Sequence, residues 1–209
     1  MSLLTPWGYT LTGVDTLPDV ITVADFNART ANKYTGDTRT AGAIASASQA
    51  IRDNVGWHLL PAAACKLHTS FLDKRIAFVG GDIIQIQLPA RYVSAVASVE
   101  IDGKEYQSFF VESNGLLKVY RVRCAHITSY SVLDVTYTAG LPDGLTNALK
   151  DIVANRALKS LAQSYGIQSE TAGGLSVSYS AAWASDASSS SLSPAEEATL
   201  SPYRLRGVF

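Results

Sequence analysis

Two cysteines and two of the three histidines fall into short pairs, Cys65-Lys66-Leu67-His68 and Cys124-Ala125-His126. Two thiolates and two imidazoles can close a tetrahedral zinc site. The spacing fits none of the familiar zinc frameworks, and each pair sits in or beside a stretch that reads as a strand. Cys65 and His68, three apart on a strand, face opposite sides, and the reading is two buried thiols and two ordinary histidines. The third histidine, His58, follows Trp57 at the end of a predicted helix and reads as a partly exposed residue of the helix end.

Other chemistries fail on local grounds. Gly174-Leu175-Ser176-Val177-Ser178 lacks the second glycine and the following helix that a serine nucleophile's elbow requires. The glycine turns at Gly140 and Gly173 feed no lysine-bearing helix, so neither reads as a phosphate cradle. The acids are scattered, with no pair spaced for glycoside chemistry. The expectation is a protein that is not an enzyme, with no catalytic residue, no cofactor and no metal.

The elements that would carry such residues follow from periodicity. Thr22-Val23-Ala24-Asp25 is an N-cap with an acid three residues on, and predicts a helix over about 22–34 that ends at the turn residues Thr35-Gly36-Asp37. From about 40 to 56, Ile44, Ala47, Ile51 and Val55 form one helical stripe among small residues, with Gly56 at the C-terminal stop. Between Pro61 and Gly140 the period is two: Ile84, Ile86 and Leu88 alternate with Gln85 and Gln87, and Ala97, Val99 and Ile101 with Ser98 and Glu100. Asp102-Gly103 and Asn114-Gly115 predict tight hairpin turns. A long helix over about 143–165 carries two apolar stripes, Leu145, Leu149, Ile152 and Val153 on one face and Ala154, Leu158, Leu161 and Tyr165 on the other. It predicts cover on both sides, from the chain itself or from a neighbouring subunit. Leu175–Tyr179 reads as a last short strand.

Beyond Ser180 the composition shifts to Ala and Ser, too poor in apolar surface to offset its own ordering. Ser193-Pro194-Ala195-Glu196 is then a capping box with proline at the first helical position, opening a helix too short to stand alone. Trp183 in the Ser/Ala tract and Tyr203, Arg204, Leu205, Arg206 and Phe209 beyond the short helix read as apolar and basic anchors for an interface. The domain reading is a body over 1–180, with a β insertion at about 82–138, and a docking arm over 181–209. The fold class is α+β: a small helical bundle of two N-terminal helices and one long C-terminal helix, with an inserted antiparallel β region and an extended C-terminal arm.

Bulk properties narrow the function. Hydrophobic residues make up 47% and charged residues 17% of the chain, with a formal net charge of -1. A weakly charged exterior suits a protein whose surface ends against neighbours. No run of lysine and arginine offers a phosphate track; Lys118, Arg121 and Arg123 read as a solvated sheet face. The opening residues lack a basic start and long apolar core, and no segment reaches the ~20 apolar residues of a membrane span. These features predict synthesis in a cytoplasm and no membrane partner.

The helix opening at Thr22-Val23-Ala24-Asp25-Phe26, the strand Val135-Thr136-Tyr137-Thr138-Ala139-Gly140 leading through Pro142 into a helix, and Gly166-Ile167-Gln168-Ser169-Glu170 followed by Gly173-Gly174-Leu175-Ser176-Val177-Ser178-Tyr179 together resemble a known family. In these residues, from roughly Val20 to Ser180, the chain is similar to the head-tail connector (adaptor) proteins of long-tailed bacteriophages. Gly166, Ser169, Glu170, Gly173, Gly174, Ser176 and Tyr179 are the motif positions. The resemblance implies a structural virion protein at the capsid vertex, made in the host cytoplasm, forming a homo-oligomeric ring of about twelve copies. Its partners would be the portal protein, the next neck or stopper protein, and DNA passing non-specifically through the lumen. It also implies a C-terminal segment that reaches the portal, which here would use Trp183, Leu200, Tyr203, Arg204, Leu205, Arg206 and Phe209. The β region is larger than in the family's shortest members. The alternatives are a β-rich module that binds a ligand or host surface, and another neck component such as a stopper or completion protein.

Overall fold

The central strand of the molecule, Val132–Ala139, alternates buried and half-buried side chains along its whole length: Leu133, Val135, Tyr137 and Ala139 point inward between Asp134, Thr136 and Thr138. That alternation is what a strand with one face on a core requires. The computed structural model describes residues 2–80, 82–112, 114–122, 127–163, 169–172, 175–178 and 192–205. In chain order its strands are β1 (Ser2–Leu4), β2 (Thr10–Thr12), β3 (Ala63–Ser70), β4 (Ile76–Phe78), β5 (Ile83–Gln87), β6 (Val93–Ile101), β7 (Lys104–Glu105), β8 (Phe109–Val111), β9 (Leu116–Tyr120), β10 (Val132–Ala139), β11 (Ser169–Ala172) and β12 (Leu175–Ser178). The helices are α1 (Val23–Arg29), α2 (Thr40–Val55), α3 (Thr146–Gln163) and α4 (Pro194–Leu200).

The chain divides into two compact units that interleave in sequence: residues 1–17, 56–142 and 203–209 form a β unit, and 18–55 with 143–202 form a helical unit. The expected helical bundle with a β insertion is overturned. The chain is mixed α+β with two antiparallel sheets, six strands in the order β1-β2-β3-β10-β6-β7 and four in the order β4-β5-β9-β8, beside a β11-β12 hairpin. The β structure does not begin near Asp82. Residues before Pro18 form β1 and β2, and β2 pairs with β3 at Leu11↔Cys65. Three-residue strands give a period-two pattern too little length to show, so only the long strands were legible.

In the β unit, Asp102 and Gly103 take φ of 50° and 75° and join β6 to β7 as the Asp-Gly pair predicts. Gly115 takes a φ of 80°, and a Cβ there would stand 2.1 Å from the Ala90 carbonyl oxygen. Only glycine fits that turn.

In the helical unit, the Thr22 side chain accepts from the Asp25 N–H and opens α1 as its sequence predicts. The helix stops at Arg29, short of the expected residue 34, because Ala31 and Asn32 turn left-handed with φ of 51° and 61°. The α2 helix buries Ala43, Ile44, Ala47, Ser48 and Ile51 and packs on α3. Small residues allow that close approach. Most of both predicted stripes is buried within the chain, Leu149, Ile152 and Val153 on one and Ala154, Leu158 and Leu161 on the other, while Leu145, in the turn before α3, is 38% exposed and Tyr165 lies outside the described residues. The α3 helix packs on α2, α4 and β12, which accounts for an apolar surface on more than one side. Arg29 with Asp151 and Lys150 with Asp25 tie α1 to α3.

Candidate functional site

The anchor residues expected to project toward a partner are, where described, packed within their own chain. At α4, Ser193 and Glu196 close the capping box in both directions, and Glu196 also lies 3.8 Å from Arg156 of α3. Leu200 is fully buried. A helix of two turns gains its stability from such packing rather than from propensity. The expected extended arm is therefore corrected over its described part: residues 192–205 are folded in, with 192–202 in the helical unit and 203–205 in the β unit.

In the β unit the backbone of this segment is held by side chains. Trp57 Nε1 donates to the Tyr203 carbonyl at 2.8 Å, and Arg91 Nη1 donates to the Arg204 carbonyl at 3.1 Å. The Tyr92 ring stands between Trp57 and Tyr203, each centroid 6.2 Å from its own. Burial, then the neighbouring Tyr92, raises the Tyr203 hydroxyl above the usual phenol value. The Arg204 and Leu205 side chains are half-buried and, with Gln87, Arg91 and Asn114, line an open cavity of about 180 Å³. Trp183, Arg206 and Phe209 lie outside the described residues. Of the motif positions, Ser169, Glu170 and Ser176 fall on the β11-β12 hairpin, where Glu170 pairs with Val177 and Thr171 with Ser176; Gly166, Gly173, Gly174 and Tyr179 lie outside the described residues.

Local sequence missed a second feature of the β unit. His58, read as partly exposed, is fully buried. Its Nε2 lies 3.1 Å from the Ala139 carbonyl, which can only accept, so that nitrogen carries the proton. Its Nδ1 then accepts from the Tyr9 hydroxyl at 2.6 Å, and its backbone N–H donates to the same oxygen at 3.1 Å. The Tyr9 ring also stands 6.4 Å from that of Tyr137. The only sequence signal for this cluster is aromatic residues at chain crossings, where no period operates.

The cysteine and histidine pair on β3 separates as strand alternation demands. Cys65 is buried beside Tyr137, while His68 lies on the outer face with Lys66, both within 3.1 Å of Asp134. Burial pushes the Cys65 thiol up to about 12, against smaller opposing effects of the Ala139 backbone and Tyr137. It stays protonated and unreactive at neutral pH. Cys124 and His126 lie outside the described residues. Among the described residues no three metal-ligating side chains gather, and no helix is long and apolar enough to cross a membrane.

What the surface offers instead is uncharged strand edge. The four-stranded sheet ends on β4 and β8, Ile-Ala-Phe and Phe-Phe-Val, where Phe78 is 49% and Phe110 58% exposed. Phe71 stacks on Phe78 with centroids 5.6 Å apart, and Leu72 and Val79 beside them are exposed. Compared with known proteins, the chain matches no family model and no curated relative.

Proposed function

We propose that this chain is a structural subunit of a bacteriophage neck, a head-tail connector whose copies form a ring between the portal and the next neck or stopper protein. One observation carries the reading. Two of the three stretches that resemble the connector family, the Thr22–Phe26 opening and the Ser169–Ser178 hairpin, fall in one compact unit with α2 and α3, into which residues 56–142 are spliced. The third, Val135–Gly140, is the strand from which the chain returns to that unit. A connector enlarged by a β unit between its second and third helices accounts for the order of elements and for the length of the β region.

The near-neutral charge fits a conduit through which DNA slides without being held. Negative-stain microscopy and mass measurement of the purified protein, alone and mixed with its portal, test the proposal. Rings with an axial hole, of about twelve copies, are expected. A monomer at every concentration, with or without portal, overturns it and favours a β-rich binding module, the reading that the ten sheet strands would otherwise support. Truncation after Ser180 is not a clean test of portal docking, because it also removes Leu200 and the Tyr203 carbonyl from their places in the chain's own fold.

A further inference from the structure

The four-stranded sheet β4-β5-β9-β8 is antiparallel throughout and has an even number of strands, so its two edges run in opposite directions. A second copy displaced along the sheet presents β8 to β4 in the antiparallel sense. The hydrogen-bond parity agrees. Inward bonds Gln87 N–H to Arg75 and Val79 N–H to Ile83 fix alternate residues of β4, which leaves Ile76 and Phe78 with backbone groups pointing to the open edge. On β8, Tyr120 N–H to Ser108 and Glu112 N–H to Leu116 do the same and leave Phe109 and Val111 pointing out.

Both edge sets share one face. Ile76 and Phe78 pair with Ile86 and Ile84, and Phe109 and Val111 with Val119 and Leu117, all four partners fully buried. Joining the edges with Phe78 opposite Phe109 and Ile76 opposite Val111 continues that apolar face. It also sets Phe110 opposite the small, exposed Ala77 on the other side. Ile76 N–H is already given to Asp73, so the joint makes three backbone bonds: two between Phe78 and Phe109, and one from Val111 N–H to the Ile76 carbonyl.

Edges left unprotected in this way are templates for pairing with another chain. The six-stranded sheet differs. Its β7 edge is the exposed, charged dipeptide Lys104-Glu105, the ordinary device against such pairing. Head-to-tail continuation is therefore open to the four-stranded sheet and closed to the six-stranded one.

We propose that the four-stranded sheet runs on from copy to copy, β8 of one subunit pairing with β4 of the next in the register Phe78↔Phe109. The occupant of each edge is thus a second copy of this chain. The proposal rests on the ring reading above, since a head-to-tail joint closes a ring where the rotation allows it. Three bonds are few, so the joint is weak between two isolated copies and gains from closure.

The test is a disulfide across the joint. Ala77 and Phe110 would form a pair not bonded through the backbone, with Cα atoms about 4.5 Å apart, which is within disulfide range. In a Cys124→Ser background, the Ala77→Cys/Phe110→Cys variant is oxidised and run on a non-reducing gel. A ladder of linked multimers is expected, with neither single variant passing a dimer. A second variant, Phe110→Glu, puts a carboxylate opposite Lys118 in its own sheet and so spares the monomer. It is expected to lower the assembled fraction about tenfold at an unchanged unfolding midpoint. Rings in the microscope with no ladder, or undiminished assembly of Phe110→Glu, overturn the edge joint and leave the ring reading standing. A ladder without rings keeps the joint and overturns the ring reading, and the absence of both overturns the two together.

Discussion

The two units are stabilised by different means. The β unit joins residues far apart in sequence, Thr10–Thr12 to Ala64–Lys66 and Val93–Ile101 to Val132–Ala139, and sets large rings, Tyr9, Trp57, Tyr137 and the half-buried Tyr92, among buried aliphatic side chains such as Leu11, Leu67 and Val135. The helical unit packs many small side chains, Ala43, Ala47, Ala154, Ala157 and Ala162, and borders them with ion pairs such as Arg29 to Asp151. A large buried ring concentrates stability in a single position. Closely packed alanines spread it, and a seam of them is damaged more by enlargement than by deletion.

Trp57 offers the hardest test of that contrast. Its ring is fully buried, stands beside Tyr92, and donates the hydrogen bond that holds the Tyr203 carbonyl. Trp57→Ala is expected to cost about 3–5 kcal/mol, read from urea unfolding of the near-ultraviolet signal, and to open the chain near Tyr203 to proteolysis. A loss below about 1 kcal/mol would mean that the rings are not the centre of this core.

Leu200 is the counterpart in the helical unit. It is the one buried residue of a seven-residue helix that is also tied by its capping box and by Arg156. Leu200→Ala is expected to cost about 2–3 kcal/mol and to free α4, so that limited proteolysis cuts within residues 194–200 before any other described segment. If α4 stays protected, the cap and the Arg156 pair suffice, and the packing argument for short helices fails here.

Local periodicity made α2, α3, β5, β6 and β10 legible, because each is long enough for its 3.6 or 2.0 repeat to be counted. The cap at Thr22, the box at Ser193 and the Asp102-Gly103 turn were legible for another reason, since each is a contact between residues no more than three apart. The rest is long-range. Nothing near Tyr9 announces His58, and nothing near Tyr203 announces Trp57, because those partners are set by the order of strands in the sheet. The expected helical bundle failed for the same reason: strands of three residues carry no countable period, yet among the described residues five of the twelve strands are that short or shorter, and four of these, β1, β4, β7 and β8, close both edges of both sheets. The packing of the candidate site was hidden for a related reason. Aromatics in a polar tail look like anchors for a partner, and nothing local shows that Tyr203 also stands against Tyr92 of its own chain.

The smallest effect separates the units by charge. Asp73, Asp102 and Asp134, the carboxyls held below the usual range among the described residues, all belong to the β unit. At Asp73, burial pushes the carboxyl up but is outweighed by the Arg75 side chain, with Nη2 at 2.5 Å, the Arg75 backbone N–H, and the Thr69 hydroxyl at 2.9 Å. A carboxyl lowered by folding stabilises the native state fully above its unfolded value of about 3.9. That contribution is lost as pH falls through the lower folded value. Asp73→Asn is therefore expected to cost less than about 1 kcal/mol near neutral pH, since the pair is partly solvated, and nothing below the folded value, where both proteins are uncharged at this position. Urea midpoints of the two proteins from about pH 7 to about pH 2 should converge at the acid end. Curves that stay parallel would show that Asp73 acts through shape alone, as the hinge of the turn between β3 and β4, and not through its charge.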